Sequence, residues 1–181
     1  LGFAPPGSRE GAHRVYTETV QLPSPLPHRA DRGGYLLRAL GLSGAMAQPA
    51  LPRPDQPVTV PWGERGLRVL MQPDTSGFAT FKRWPTDRFA ALAQALLDDG
   101  CSVVVGHGPG QGELAEAIAA GAPGVRDLDG STLGLIGYGE ALASADIVVA
   151  ADTGPLHLAA ARGTRVVALF GPKDPALYGP M

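Results

Sequence analysis

Four short, near-continuous apolar runs punctuate the chain from residue 67 onward: LRVLM (67–71), SVVVG (102–106), IVVA (147–150) and VVALF (166–170). Runs of this length without polar alternation predict strands buried on both faces. Between them the period changes. Phe89, Leu92, Ala93, Leu96 and Leu97 recur at i, i+3, i+4, i+7 and i+8, which predicts a helix over 86–99, capped by Thr86 or Asp87 and ended by Gly100. Further helices are predicted over about 111–120 and 135–144, the latter weakened by Gly137 and Gly139 at about 1 kcal/mol each. VRDL (125–128) supplies another strand, and a small-residue helix after Asp152 ends at Gly163. Strands alternating with helices imply an α/β fold: a Rossmann-like parallel sheet with helices on both faces, covering about 67–175.

Upstream the pattern fades. Residues 33–42 (GGYLLRALGL) could form a short helix with Leu36, Leu37 and Leu40 on one side. Residues 47–66 hold five prolines and no helical period, which reads as an extended linker. The expected organisation is therefore a remnant of a preceding domain over 1–46, a proline-rich linker over 47–66 and a nucleotide-binding domain over 67–181. The chain opens on Leu1 and stops just after a loop, as a piece of a longer protein would.

Composition narrows the partners. The chain is 44% apolar, enough for a core, and its net charge is −2 without a basic block, which argues against nucleic acid. The single cysteine, Cys101, rules out an internal disulfide framework and a cysteine-based zinc site. No apolar run reaches the ~20 residues that span a bilayer, and the first residues lack a signal-peptide pattern, so a cytoplasmic protein without a transmembrane segment is expected.

The most informative string runs from 145 to 175. A strand leads into Asp152-Thr153-Gly154-Pro155, and a helix starts there. Free amides of the first turn and the positive end of the helix dipole suit a diphosphate. Gly154 permits close approach, Pro155 loses nothing in the first turn, and Asp152 could accept from sugar hydroxyls. Ordinary helix capping accounts for much of the same string. His157, one turn on, could pair with Asp152 or simply pack among leucines. Lys82, in FKRWP after the first strand, could neutralise phosphate or lie solvated beside Trp84. The loop over 106–113 approaches a dinucleotide fingerprint, with Asp127 or Asp129 about 20 residues on, but Gln111 or Glu113 takes the place of its third glycine. Glu113 could reach a ribose hydroxyl or favour its own helix N-terminus. Asp127-x-Asp129 is a weak match to a divalent-metal motif.

The string DTGPLHLAAARGTRVVALFGPKDP resembles the C-terminal signature of the ADP-heptose:lipopolysaccharide heptosyltransferases, glycosyltransferase family 9: Asp152, Thr153, Gly154, His157, Ala160, Ala161, Phe170, Gly171, Pro172, Asp174 and Pro175 fit it, and Lys82-Arg83-Trp84-Pro85 resembles its Lys-x-Trp-Pro. The resemblance implies the C-terminal domain of a GT-B enzyme, metal-independent and without a cofactor, that inverts configuration while transferring heptose from ADP-heptose, or a relative, to a lipopolysaccharide core sugar. It implies that Lys82 and the Thr153-Gly154 turn hold the diphosphate, that Asp152 contacts the sugar and Glu113 the ribose, and that Pro155, His157 and Gly171 also belong to the substrate-binding set. The general base would belong to the preceding domain, so this chain alone would bind donor and turn nothing over. The full protein could associate peripherally with the inner membrane. Lys173 departs from the family's threonine, and the loop before Lys82 is longer and lacks a glycine near Asp74. Two other readings stand beside this one: an NAD-type dinucleotide-binding domain and a non-catalytic nucleotide-binding module.

Overall fold

The computed structural model describes residues 1–8, 10–43, 51–64, 66–75 and 77–181. By internal contacts the chain divides into two units, Leu1–Gln48 with Lys173–Tyr178, and Pro49–Pro172 with Gly179–Met181.

The first unit holds a short parallel pair, β1 (Gly2–Phe3) and β2 (Thr19–Val20), with α1 (Arg29–Ala39) and α6 (Pro175–Tyr178). Helix α1 starts four residues before the apolar run that predicts it, because the His28 ring accepts from the Ala30 amide and caps it there. None of its residues is buried, and Leu37 and Leu40 face outward.

The second unit is a five-stranded parallel sheet in the order β5-β4-β3-β6-β7. Its strands are β3 (Arg68–Gln72), β4 (Ser102–His107), β5 (Arg126–Asp129), β6 (Ile147–Ala151) and β7 (Arg165–Leu169). Alternate residues of the apolar strands divide between two cores. Val69, Met71, Val103, Val105 and Val149 face α2 (Thr86–Asp98) and α3 (Gly112–Gly121). Leu70, Val104, Leu128, Val148 and Ala150 face α4 (Gly134–Ala143) and α5 (Gly154–Ala161). Burial on both faces explains why β3, β4 and β6 read as apolar runs; β7 reads the same way but lies at the sheet edge, and none of its residues is buried.

One local expectation fails for a physical reason. Pro85, not Thr86 or Asp87, occupies the N-cap of α2, and no side chain caps it; proline's backbone carbonyl accepts from Arg88 and Phe89 instead. Helix α4 forms with both Gly137 and Gly139 inside it, and Gly139 serves its packing. A Cβ at Gly139 would stand 3.3 Å from Arg162 Nε and 3.4 Å from Leu158, so its absence lets α4 close on α5.

Residues 47–50 and Arg65 of the proline-rich stretch lie outside the described residues. The rest carries no helix or strand but packs closely. Val60 is buried, Val58 and Trp62 join the α4–α5 core, and Trp62 Nε1 donates to Ser144 Oγ at 3.1 Å. Arg162 donates to the carbonyls of Leu51 (3.2 Å) and Pro52 (2.6 Å).

Candidate functional site

Strand β3 leads outward through β4 to β5, and the chain then returns to place β6 on the other side of β3. This is the point of an open α/β sheet where the loops diverge and leave a crevice at the C-terminal strand ends. A cleft of about 460 Å³ lies there, lined by the end of β3, the loop after β4, the turn from β5 into α4 and the start of α5.

Loop geometry brings the two sequence motifs together. Lys82 ends a 3₁₀ segment, Gly77–Lys82, in the β3–α2 loop. Its Nζ lies 2.7 Å from Asp152 Oδ2 and 3.3 Å from the Asp152 carbonyl. Only 12% of the lysine and 6% of the aspartate side chain are exposed, so the pair is substantially desolvated. His157 Nε2 stands 3.9 Å from Asp152 Oδ1 on a half-exposed ring. Thr153 is the N-cap of α5 in extended conformation; its hydroxyl donates to Ala151 O at 3.3 Å and caps no amide of the helix. Pro155 sits in the first turn, and nothing lies within 4 Å of where a Gly154 Cβ would be. Thr153, Gly154, Pro155 and Asp152 line the cleft.

Other expected residues lie around it. Gly171 backs the Lys82 main chain: a Cβ there would come 3.7 Å from Lys82 Cα. Glu113 is exposed in the first turn of α3, outside the cleft lining. Asp127 and Asp129 are spent locally. Asp127 Oδ2 lies 3.2 Å from His107 Nε2, and Asp129 Oδ1 accepts from the Ser131 amide at 2.9 Å. Hydrogen bonds from Ser131, side chain and backbone, hold the Asp129 carboxyl below the usual carboxylate range. Among the described residues no cluster of three or more His, Cys, Asp or Glu is placed to hold a metal.

Several lining residues have no motif to announce them. His107 ends β4 with Nδ1 3.1 Å from the Gly108 carbonyl and Nε2 on Asp127. Burial lowers its pKa, but the Gly108 carbonyl and the Asp127 carboxylate more than offset this and leave it above its ordinary value. Tyr138 of α4 reaches across β4 to donate its hydroxyl to Gln72 Oε1. Its ring occupies the space that side chains at Gly106 and Gly130 would need. Burial, with the charge of Asp127, pushes the phenol pKa up, so the hydroxyl keeps its proton. The glycine closing an otherwise apolar strand was the available signal for this arrangement. In the long loop, Arg83 Nη2 bonds buried Asp74 Oδ1 at 2.5 Å, and the Thr75 hydroxyl donates to Ala79 O at 3.0 Å. That pair fixes the loop where the sequence lacks a glycine.

Comparison with known proteins bears on the family and the fold. The chain is 35% identical over 99 residues to lipopolysaccharide heptosyltransferase 1 of Escherichia coli (strain K12), covering 54% of this chain and 30% of that protein. It is 34% identical over 109 residues to lipopolysaccharide heptosyltransferase 2 of the same strain, 58% of this chain and 31% of that one. It thus spans about a third of the length of these curated relatives. The solved structure of E. coli heptosyltransferase WaaC with ADP superposes with a TM-score of 0.65 at 26% identity, over 91% of this chain and 51% of that one. The same enzyme with ADP-2-deoxy-2-fluoro heptose gives 0.65 at 25%, over 93% and 53%. The family model for glycosyltransferase family 9 (heptosyltransferase) matches residues 45–181, three-quarters of the sequence, and the chain belongs to that family.

Proposed function

We propose that this chain is the donor-binding half of an inverting, metal-independent heptosyltransferase that takes ADP-heptose, or a close relative, and delivers the heptose to a lipopolysaccharide core sugar. One observation carries the reading: Lys82, from the loop after β3, bonds Asp152, which lines the cleft beside the open start of α5 at the end of the adjacent strand β6. In this reading the diphosphate rests on the amides of Gly154 and the following turn, with Pro155 shaping that turn and Thr153 at its N-cap. Lys82 supplies the positive charge that a metal supplies elsewhere. As the acceptor hydroxyl attacks the anomeric carbon from the opposite face, charge accumulates on the departing diphosphate, and the ammonium and helix start stabilise it. Asp152 and His157 meet the sugar, Gly171 keeps the Lys82 backbone in place, and Glu113 approaches the ribose from the rim. The general base belongs to the segment preceding this unit.

Metal independence is supported by the prior engagement of Asp127 and Asp129 with His107 and Ser131. The relative WaaC has been solved with ADP and with ADP-2-deoxy-2-fluoro heptose, which supports an ADP-sugar donor. Among the described residues no helix is long and apolar enough to cross a membrane; we assign the protein to the cytoplasm, with peripheral association to the inner membrane.

Calorimetry tests this directly. ADP should bind, and UDP and NAD should bind at least tenfold more weakly. A chelator should leave the ADP titration unchanged, and Lys82→Ala should weaken it. Preference for NAD over ADP would instead favour the dinucleotide reading. ADP binding by this chain with no transfer of heptose would leave catalysis to the preceding segment.

A further inference from the structure

Gln72 is a polar side chain in the floor of the cleft, only 4% exposed. Its carbonyl oxygen is taken by the Tyr138 hydroxyl. Its amide nitrogen donates no hydrogen bond among the described residues, yet it is not sealed from the cleft, since the only fully enclosed unpartnered side-chain nitrogen or oxygen among them is Arg162 Nε. A buried carboxamide with one end satisfied and the other open to a cavity keeps a donor for whatever fills that cavity, water or a ligand.

We infer that the Gln72 carboxamide, held in orientation by Tyr138, donates a hydrogen bond to the nucleoside half of the bound nucleotide and helps set the affinity of the cleft for it. The inference rests on the nucleotide-sugar reading above. Direction assigns the ligand moiety. The Gln72 oxygen lies 3.2 Å from where a Gly106 Cβ would stand, so the side chain leans from β3 towards β4, away from β6 and the Thr153–Gly154 turn. With the diphosphate on the β6 side, the part of the ligand over β4 and β5 is the nucleoside. Three strand spacings, about 14 Å, separate β5 from β6, room for an extended nucleotide between them. Tyr138 acts as a positioning residue: its hydroxyl accounts for the oxygen, so the two amide hydrogens are the ones presented.

Isothermal titration of the intact chain with ADP, AMP and inorganic pyrophosphate tests this. Gln72→Met should weaken ADP and AMP about tenfold, the size of one buried hydrogen bond left unmade, and change pyrophosphate affinity less than twofold. Tyr138→Phe keeps the ring between Gly106 and Gly130 and should weaken ADP about threefold. The double variant should bind no worse than Gln72→Met alone, because the tyrosine acts only through the amide. Should Gln72→Met not fold, the ADP and pyrophosphate titrations of Tyr138→Phe decide. Unchanged ADP affinity with a lowered melting temperature reduces the pair to a structural contact and overturns the inference alone. An equal loss for pyrophosphate overturns the assignment to the nucleoside. A wild-type chain that fails to bind ADP overturns the nucleotide reading and this inference with it.

Discussion

The Lys82 ammonium and the Asp152 carboxylate stand 2.7 Å apart across 70 residues of sequence, joining the loops that follow the neighbouring strands β3 and β6. The pair is mostly buried, so each charge stabilises the other in a poorly solvated place. An incoming diphosphate would draw on the same ammonium. Lys82→Ala should therefore have two separable effects. ADP affinity should fall about 10- to 100-fold, the loss of a charge-assisted hydrogen bond of roughly 1.5–3 kcal/mol. Stability should fall too, because Asp152 keeps its burial and loses its nearest cation. Calorimetry reads the first and thermal unfolding the second. Lys82→Arg should recover most of the stability but less of the binding, since a planar fork does not replace a point charge.

The seat of Tyr138 predicts a size limit at Gly106. A Cβ there would run into the Tyr138 hydroxyl and come 3.2 Å from Gln72 Oε1. Gly106→Ala should destabilise the chain by about 1–3 kcal/mol, the usual cost of overpacking, and disturb the cleft floor. Removing the obstructing oxygen with Tyr138→Phe should restore part of that loss. Melting temperatures of the two single variants and the double variant supply the cycle, and strict additivity would mean that the residues do not touch.

What the sequence revealed and concealed divides by the range of the interaction. The strands at 69–71, 103–105 and 148–150 were legible because burial on both faces leaves only apolar residues. The turn at Asp152 was legible because a strand end, a small residue and proline occur together in a few consecutive positions. Lys82 was legible from its motif, but its contact with Asp152 required knowing that β3 and β6 are neighbours. Tyr138 on Gln72 and His107 on Asp127 were not legible: each spans separate elements and uses residues common anywhere. The packing role of Gly139 was not legible, since helix propensity prices a glycine without knowing that Arg162 and Leu158 press against it. The N-cap of α2 misled, because a side-chain capping rule overlooks a proline carbonyl.

His107 gives stability a pH dependence with a definite sign. Its folded pKa is raised above the ordinary 6.5 by the Gly108 carbonyl and by Asp127, with a smaller contribution from Asp129, against the opposing effect of burial. A raised pKa means that the folded state holds the proton more tightly than the unfolded chain. The stabilisation is complete below pH 6.5 and is lost as pH rises through the folded value. Melting temperatures between pH 5.5 and 8.5 should decline more steeply for the wild type than for His107→Gln. The two curves should run parallel below pH 6 and draw together above it. Asp127→Asn should flatten the wild-type curve in the same window, as it removes the main charge that retains the proton.

Arg162 provides a variant that separates stability from binding. Its guanidinium donates to the carbonyls of Leu51 and Pro52, lies 3.6 Å from Glu140, and holds the proline-rich segment against the α4–α5 layer. None of these residues lines the cleft. Arg162→Met keeps much of the aliphatic stem, leaves the two carbonyls to water and removes a buried Nε that has no partner. The first loss costs about 1–2 kcal/mol and the last change returns part of it. The melting temperature should drop by roughly 3–6 °C, and protease cleavage between residues 51 and 60 should quicken as the segment lifts. ADP affinity should stay within twofold of wild type. A large loss of binding in this variant would mean that the segment's attachment controls the shape of the cleft, and the crevice between β3 and β6 could no longer be treated as formed by the sheet and its loops alone.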